Sequence, residues 1–159
     1  CAADLTVNAN IPDRYVPSAE QRMDLYRRIA AIRSQEDAAD LIDEMMDRYG
    51  DPPKSVYTLL DVALLRSAAA KAGISDIAQR GDKLRFLITD FAVEAIAKVC
   101  AMPKYRQRLH LAAGEKPSLT LTLRPKEPVL ETALTLVEDL SLAAGEKKRE
   151  NSRPEEKTT

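Results

Sequence analysis

The sequence predicts an α+β fold, in which three helices after a short strand form an N-terminal half. An antiparallel or mixed sheet of about four to five strands with two further helices forms the rest. Two observations support this. Apolar residues recur with the 3.6-residue period of amphipathic helices between residues 19 and 72, and they alternate at the two-residue period of strands in the second half. With 159 residues, 45% apolar and 31% charged, the chain suits one domain with a hydrophobic core.

The first predicted element is a short strand over residues 4–10. Leu5, Val7 and Ala9 fall on one side of an extended chain, which is typical of a half-buried strand. The strand is expected to end at Pro12, because proline cannot continue a hydrogen-bonded ladder.

Three helices are predicted next. Ser18 opens the first through a capping box with Gln21, Ser34 opens the second, and Asp51 is placed to cap the third. Their predicted ends are about Ile32, Gly50 and Ala72, with Gly50 in a left-handed C-cap position. The predicted core faces are Leu25, Ile29 and Ile32; Leu41, Ile42, Met45 and Tyr49; and Val56, Leu60, Ala63, Leu64 and Ser67.

The second half is predicted as β-β-α-β-β-α, a pattern that places helices on one face of a sheet. The predicted elements are a hairpin over 74–79 and 84–89, a helix capped by Asp90 and stopped by Pro103, a hairpin over 108–112 and 118–123, and a helix over about 127–144. Residues 145–159 contain no apolar residue, so they are predicted to be a disordered charged tail after a single domain over 1–144.

The sequence offers little catalytic chemistry. His110 is the one histidine, and base catalysis needs positioned partners. No phosphate-binding loop or dinucleotide-binding glycine motif is present, so no cofactor is expected. Cys100 falls on a predicted apolar face as a buried thiol, and two cysteines form neither a disulfide framework nor a zinc site. The formal net charge of −1 gives no field that would favour nucleic acid, and no apolar run is long enough to span a membrane.

Charged side chains on the second helix are the main candidate site. Glu44, Asp47 and Arg48 are spaced i, i+3, i+4 and share one face, and Asp40 and Asp43 add negative charge near it. One interpretation is a solvated surface with a Glu44–Arg48 pair. A second is an acidic docking patch for a partner that carries arginines. A third, acid–base catalysis or metal binding, would need a cleft and further ligands.

Two motifs give the chain a family resemblance. The segments 11–17 (Ile-Pro-Asp-Arg-Tyr-Val-Pro) and 44–50 (Glu-Met-Met-Asp-Arg-Tyr-Gly) resemble the C-terminal domain of bacterial transcription-repair coupling factors. The resemblance covers about residues 4–144, is most specific over 11–50, and after Gly73 extends only to the order of elements. The chain begins at Cys1 without a methionine, which suggests that it belongs to a larger protein.

The resemblance implies a non-catalytic regulatory domain that follows an ATP-driven DNA translocase motor, where any ATP and Mg would bind. It implies that the domain packs on an N-terminal module similar to UvrB, masks the UvrA-binding surface there, and releases it when the parent engages RNA polymerase. Glu44, Asp47 and Arg48 would form this contact. Neither direct nucleic-acid binding nor membrane binding is implied, and the expected location is the reducing cytoplasm. A generic protein-interaction domain that contacts RNA polymerase or another repair factor remains the alternative.

Overall fold

The computed structural model describes residues 1–89 and 93–152, with the backbone alone over 146–152. Its elements are β1 (Ala2–Asp4), α1 (Ala19–Ala30), α2 (Gln35–Tyr49), α3 (Lys54–Lys71), β2 (Ile74–Arg80), β3 (Lys83–Ile88), α4 (Val93–Cys100), a 3₁₀ turn (Pro103–Tyr105), β4 (Leu109–Ala112), β5 (Ser118–Thr122) and α5 (Val129–Ser152). This order confirms the predicted α+β class.

The sheet is mixed, with the strand order β1-β2-β3-β5-β4. β1 runs parallel to β2, and the other neighbouring strands are antiparallel. On β3 the buried Leu84 and Phe86 alternate with the exposed Lys83 and Arg85, so one face of the sheet packs on the core and the other faces solvent. His110 on β4 is exposed.

Two hydrophobic clusters form the interior, and α3 contributes to both. Its N-terminal part packs Val56 and Leu60 among α1 and α2. Its C-terminal part packs Leu65 and Ala69 against the sheet, α4 and α5. The single apolar stripe predicted for α3 omitted Leu65 and Ala69, because a helix between two cores buries more than one side and has no single amphipathic face.

The first strand lies earlier in the chain than predicted. β1 covers Ala2–Asp4, where Ala2 pairs with Asp76 of β2, and residues 5–10 form no ladder. Residues 5–10 alternate between half-buried and exposed as expected, but the N–H of Asn10 donates to the carbonyl of Ser55 near the start of α3. Leu5 packs against the cluster around the sheet without pairing with a strand, so alternating burial does not by itself require a ladder.

The start of α3 also differs from the prediction. Asp51 does not cap it; the N-cap is Pro53, without a side-chain hydrogen bond, and the helix begins at Lys54. A residue that precedes proline is disfavoured in the helical region, so Pro52 and Pro53 keep the chain extended up to that point. Gly50 has a positive φ of 87° but an extended ψ of −168°, so it ends α2 in a conformation open to glycine rather than in the left-handed helical region.

The last helix is longer than predicted. α5 does not stop at Ala144 but continues to Ser152, within the segment for which a disordered tail was predicted. This segment is rich in glutamate, lysine and arginine, and extending an existing helix avoids the cost of nucleation. Residues 153–159, and Asp90 with its predicted capping role, lie outside the described residues. The domain limit at 144 stays a prediction.

Candidate docking surface on helix α2

Helix α2 is fixed at its start by local hydrogen bonds and along one side by the core. The Ser34 hydroxyl accepts from the Asp37 N–H at 3.1 Å, and the Asp37 carboxylate accepts from the Arg33 N–H at 3.1 Å. Leu41 and Met45 are buried on the inner side of the helix, as predicted. These contacts fix which residues the helix presents outward.

The predicted site residues lie on the accessible side of α2. Asp47 and Arg48 are exposed, and Glu44 is half-buried. Asp40 and Asp43 on the same helix are also exposed. None of these side chains is enclosed by the fold, so the surface is open to a partner.

Glu44 is paired, but not with the residue that helical spacing suggested. Its carboxylate accepts a hydrogen bond from the guanidinium of Arg28 on α1, and both side chains are 41% exposed. The Glu44–Arg48 pair is not formed. The guanidinium of Arg48 lies over the ring of Tyr49 instead, 5.2 Å from its centroid, in a cation–π contact.

The structure brings the two sequence motifs together through tyrosines. The Tyr15 hydroxyl donates to the Gly50 carbonyl at 2.8 Å, and the rings of Tyr15 and Tyr49 lie 5.7 Å apart at a tilted angle. The Tyr49 hydroxyl donates to the Gln21 side chain of α1 at 2.9 Å. The first motif therefore holds the C-terminal end of α2, where Arg48 is presented.

Burial raises the pKa of Tyr15, and the nearby Tyr57, Asp51 and Tyr49 raise it further. The hydroxyl thus stays protonated at neutral pH, as its donation to Gly50 requires. Sequence reasoning did not identify Tyr15 or Arg28 as partners of α2, and the only signal for Tyr15 was its place in the first motif.

A cleft of about 470 Å³ adjoins the surface between the end of α1 and α2. It is lined by the carboxylates of Asp37, Asp40 and Glu44, by Arg28 and by apolar groups. Within the described residues, no three or more histidine, cysteine or acidic side chains are grouped so that they could hold a metal ion. The three carboxylates of the cleft can attract a cationic surface, and its described lining contains no histidine, cysteine or serine.

Cys100 differs from its predicted state. Its side chain is half-buried rather than fully buried, and burial raises the pKa of the thiol. A protonated thiol is a poor nucleophile, which argues against a reactive cysteine. Within the described part of the chain, no helix is both long and apolar enough to span a bilayer.

Comparison with known families decides what kind of domain this is. The family model described as "TRCF domain" matches residues 5–99, which include all of the α2 surface. The chain belongs to the TRCF domain family. The resemblance seen in the two motifs is therefore confirmed.

Proteins named transcription-repair-coupling factor contain similar TRCF domains. The similarity is 34% identity over 89 residues in Bacillus subtilis, 40% over 74 in Mycobacterium bovis and 35% over 71 in Escherichia coli, or 56%, 46% and 45% of this chain. The matched segments cover 8%, 6% and 6% of those proteins. This TRCF domain thus spans a small fraction of the length of its curated relatives.

A solved structure extends the similarity of the fold to the second half of the chain. The crystal structure of a C-terminal domain of transcription-repair coupling factor superposes with a TM-score of 0.78 at 21% identity. The match covers 91% of this chain and 94% of that one. At this identity it establishes the shared architecture of the TRCF domain.

Proposed function

We propose that this TRCF domain is a non-catalytic regulatory domain of a transcription-repair coupling factor, acting in the cytoplasm in transcription-coupled nucleotide excision repair. It docks on the N-terminal UvrB-like module of the same protein and covers the surface that binds UvrA. Any ATP hydrolysis, with its Mg ion, and contact with RNA polymerase belong to the rest of the parent. The observation that carries the proposal is the accessibility of Glu44, Asp47 and Arg48 on one side of α2 in a member of this family.

Charge supports a cationic partner. Asp40, Asp43 and Asp47 are exposed on α2, and no described hydrogen bond or ion pair occupies their carboxylates. Complementary charges set the orientation of a complex and raise its association rate more than its final affinity. Arginines on the partner would suit these carboxylates, since a guanidinium can donate two parallel N–H hydrogen bonds to the two oxygens of one carboxylate.

Masking by such a surface needs no high intrinsic affinity. A domain tethered to its partner docks at a high effective concentration, so a modest interface can keep a site covered. Docking favours the masked state only by the difference in affinity between the two states of the parent. Because the contacting charges are exposed, salt weakens them, and a competing partner can displace the domain.

The proposal predicts that Glu44→Gln with Asp47→Asn weakens docking about tenfold, since each carboxylate loses a charged partner across the interface. The measurement is a titration of the chain with the N-terminal UvrB-like module at low salt. In the full-length parent the same pair should raise the affinity for UvrA.

Asp82→Asn with Glu115→Gln is the matched control, because it removes the same charge from exposed loops of the sheet half. If wild type does not bind the module, or if both pairs weaken binding equally, the docking role of α2 is refuted. Binding to RNA polymerase instead of the module would favour the generic interaction domain.

Arg28→Met should have the opposite effect. Arg28 already occupies the Glu44 carboxylate and places a positive charge beside it, so an incoming cation must compete with it. Removing the charge while keeping the aliphatic stem is expected to tighten docking about two- to fivefold, the range for an exposed ion pair. The same titration measures this, and the gain should vanish in the Glu44→Gln background. Weaker docking of Arg28→Met would show that Arg28 orients Glu44 or contacts the module itself.

A further inference from the structure

A second concave site lies where the α1–α2 connection meets α3, and it has the opposite charge. The cavity measures about 240 Å³. Arg33, Arg66 and Lys71 line it, and the buried Ile32 and Ala63 supply apolar surface. None of the described residues that line it is acidic. Three cations thus share a small cavity in a chain whose formal net charge is −1.

Two of the three cationic side chains are anchored by hydrogen bonds to the backbone. The Nε of Arg66 donates to the Cys1 carbonyl at 2.8 Å, and the Nζ of Lys71 donates to the Arg33 carbonyl at 3.2 Å. The hydroxyl of Ser67 donates to that same carbonyl at 3.2 Å. The backbone from which the Arg33 side chain extends is therefore held by two residues of α3. Anchored groups lose less conformational freedom when a ligand arrives.

Most donors of these side chains remain available. Guanidinium carries five N–H groups and ammonium three, and each anchor uses one. Among the described residues, no carboxylate forms an ion pair with Arg33, Arg66 or Lys71. Like charges that lack counter-ions repel one another, so an anion with several negative charges would gain from all three at once.

We propose that this cavity binds the phosphate groups of a small phosphorylated ligand, with Arg33, Arg66 and Lys71 as its cationic contacts. Two guanidinium groups and an ammonium group offer more N–H donors than the two oxygens of one carboxylate can accept. A diphosphate has enough oxygens to accept from all three side chains. The volume lies below the 300–1,000 Å³ typical of pockets that enclose a whole drug-sized ligand. It therefore suits a diphosphate group, with the rest of the ligand outside.

The shape favours a small ligand over nucleic acid. A nucleic-acid backbone is followed by a continuous basic groove. Here the cations converge on one cavity, and the exposed acidic residues Glu36, Asp37 and Asp40 follow Arg33 in the chain. This site does not depend on the docking surface of α2, and either proposal can fail alone.

The test is a titration of the 159-residue chain with pyrophosphate at low ionic strength, followed through backbone amide chemical shifts. Saturable shifts at Arg33, Ser67 and Lys71 are expected, with a dissociation constant of about 1 mM. Arg33→Gln should weaken binding about tenfold, since a charge-assisted hydrogen bond is lost. Its side chain makes no described contact, so the melting temperature should not change.

Arg85→Gln is the matched control, because it also removes an exposed cation, here from the solvent face of β3. It should bind pyrophosphate like wild type. Acetate and a single-stranded oligonucleotide should shift the same amides less than pyrophosphate does. Absence of saturation up to about 10 mM, an equal loss in both variants, or tighter binding of the oligonucleotide would overturn the proposal.

Discussion

Phe86→Ala is expected to lower the free energy of unfolding by about 3–5 kcal/mol, the usual cost of emptying a buried aromatic site. Phe86 is 0% exposed and belongs to the larger cluster, in which the sheet, α3, α4 and α5 meet. Its strand pairs with β2 on one side and β5 on the other, so the surrounding backbone has little freedom to collapse into the cavity. Urea unfolding monitored by circular dichroism measures the change.

The strand pairing provides a control residue on the line of paired residues that crosses the sheet from Phe86. Phe86 pairs with Leu119, and Leu119 pairs with Leu111 on the edge strand β4. Leu119 is 0% exposed, whereas Leu111 is 40% exposed. Leu111→Ala should therefore cost less than about 1 kcal/mol, because much of its side chain is in water in the folded state. Equal costs at Phe86 and Leu111 would contradict the assignment of the core to the inner strands.

The second half of the fold was predictable wherever apolar and polar residues alternate regularly along a strand. The hairpin of β2 and β3 and that of β4 and β5 appear within a residue or two of their predicted positions, because alternation and the turn residues agree. The pairing of β1 with β2 was not predictable, since a parallel contact across about seventy residues leaves no local signal. The second buried side of α3 was not predictable for a similar reason, because it packs against elements that lie far away in the sequence.

The candidate site was predictable in position but not in its contacts. Spacing placed Glu44, Asp47 and Arg48 on one side of α2, and the structure leaves them accessible. Spacing also suggested a local Glu44–Arg48 pair. In the structure Glu44 forms its ion pair with Arg28, and Arg48 makes a cation–π contact with the Tyr49 ring. An i,i+4 pair is worth only about 0.2–0.5 kcal/mol, so a neighbouring helix readily replaces it.

The first motif shows why a functional surface can depend on residues far from it in sequence. Tyr15 contacts the end of α2 through Gly50 and Tyr49, and the N–H of Ile11 donates to the Tyr26 hydroxyl of α1 at 2.8 Å. These contacts tie the segment before α1 to both helices. A change in this segment should therefore alter docking by displacing α2, even though Glu44 and Asp47 remain in place.

Two adjacent methionines separate the role of α2 in the fold from its role in docking. Met45 is 0% exposed in the helical cluster, and the next residue, Met46, is 43% exposed. Met45→Ala is expected to lower the free energy of unfolding by about 2–5 kcal/mol, since it leaves a cavity between α2 and its neighbours. Met46→Ala should change it by less than about 0.5 kcal/mol, as is usual on a surface. Urea unfolding of the two variants measures both values.

Docking adds a second measurement for the two variants. In a titration with the N-terminal UvrB-like module, at a temperature where both variants are folded, both should bind about as tightly as wild type. Neither change removes Glu44, Asp47 or Arg48, and the helical period places Met46 across α2 from Glu44. Loss of docking by folded Met45→Ala would show that docking depends on how the core holds α2. Loss of docking by Met46→Ala would place the contact on another side of the helix than the proposed surface.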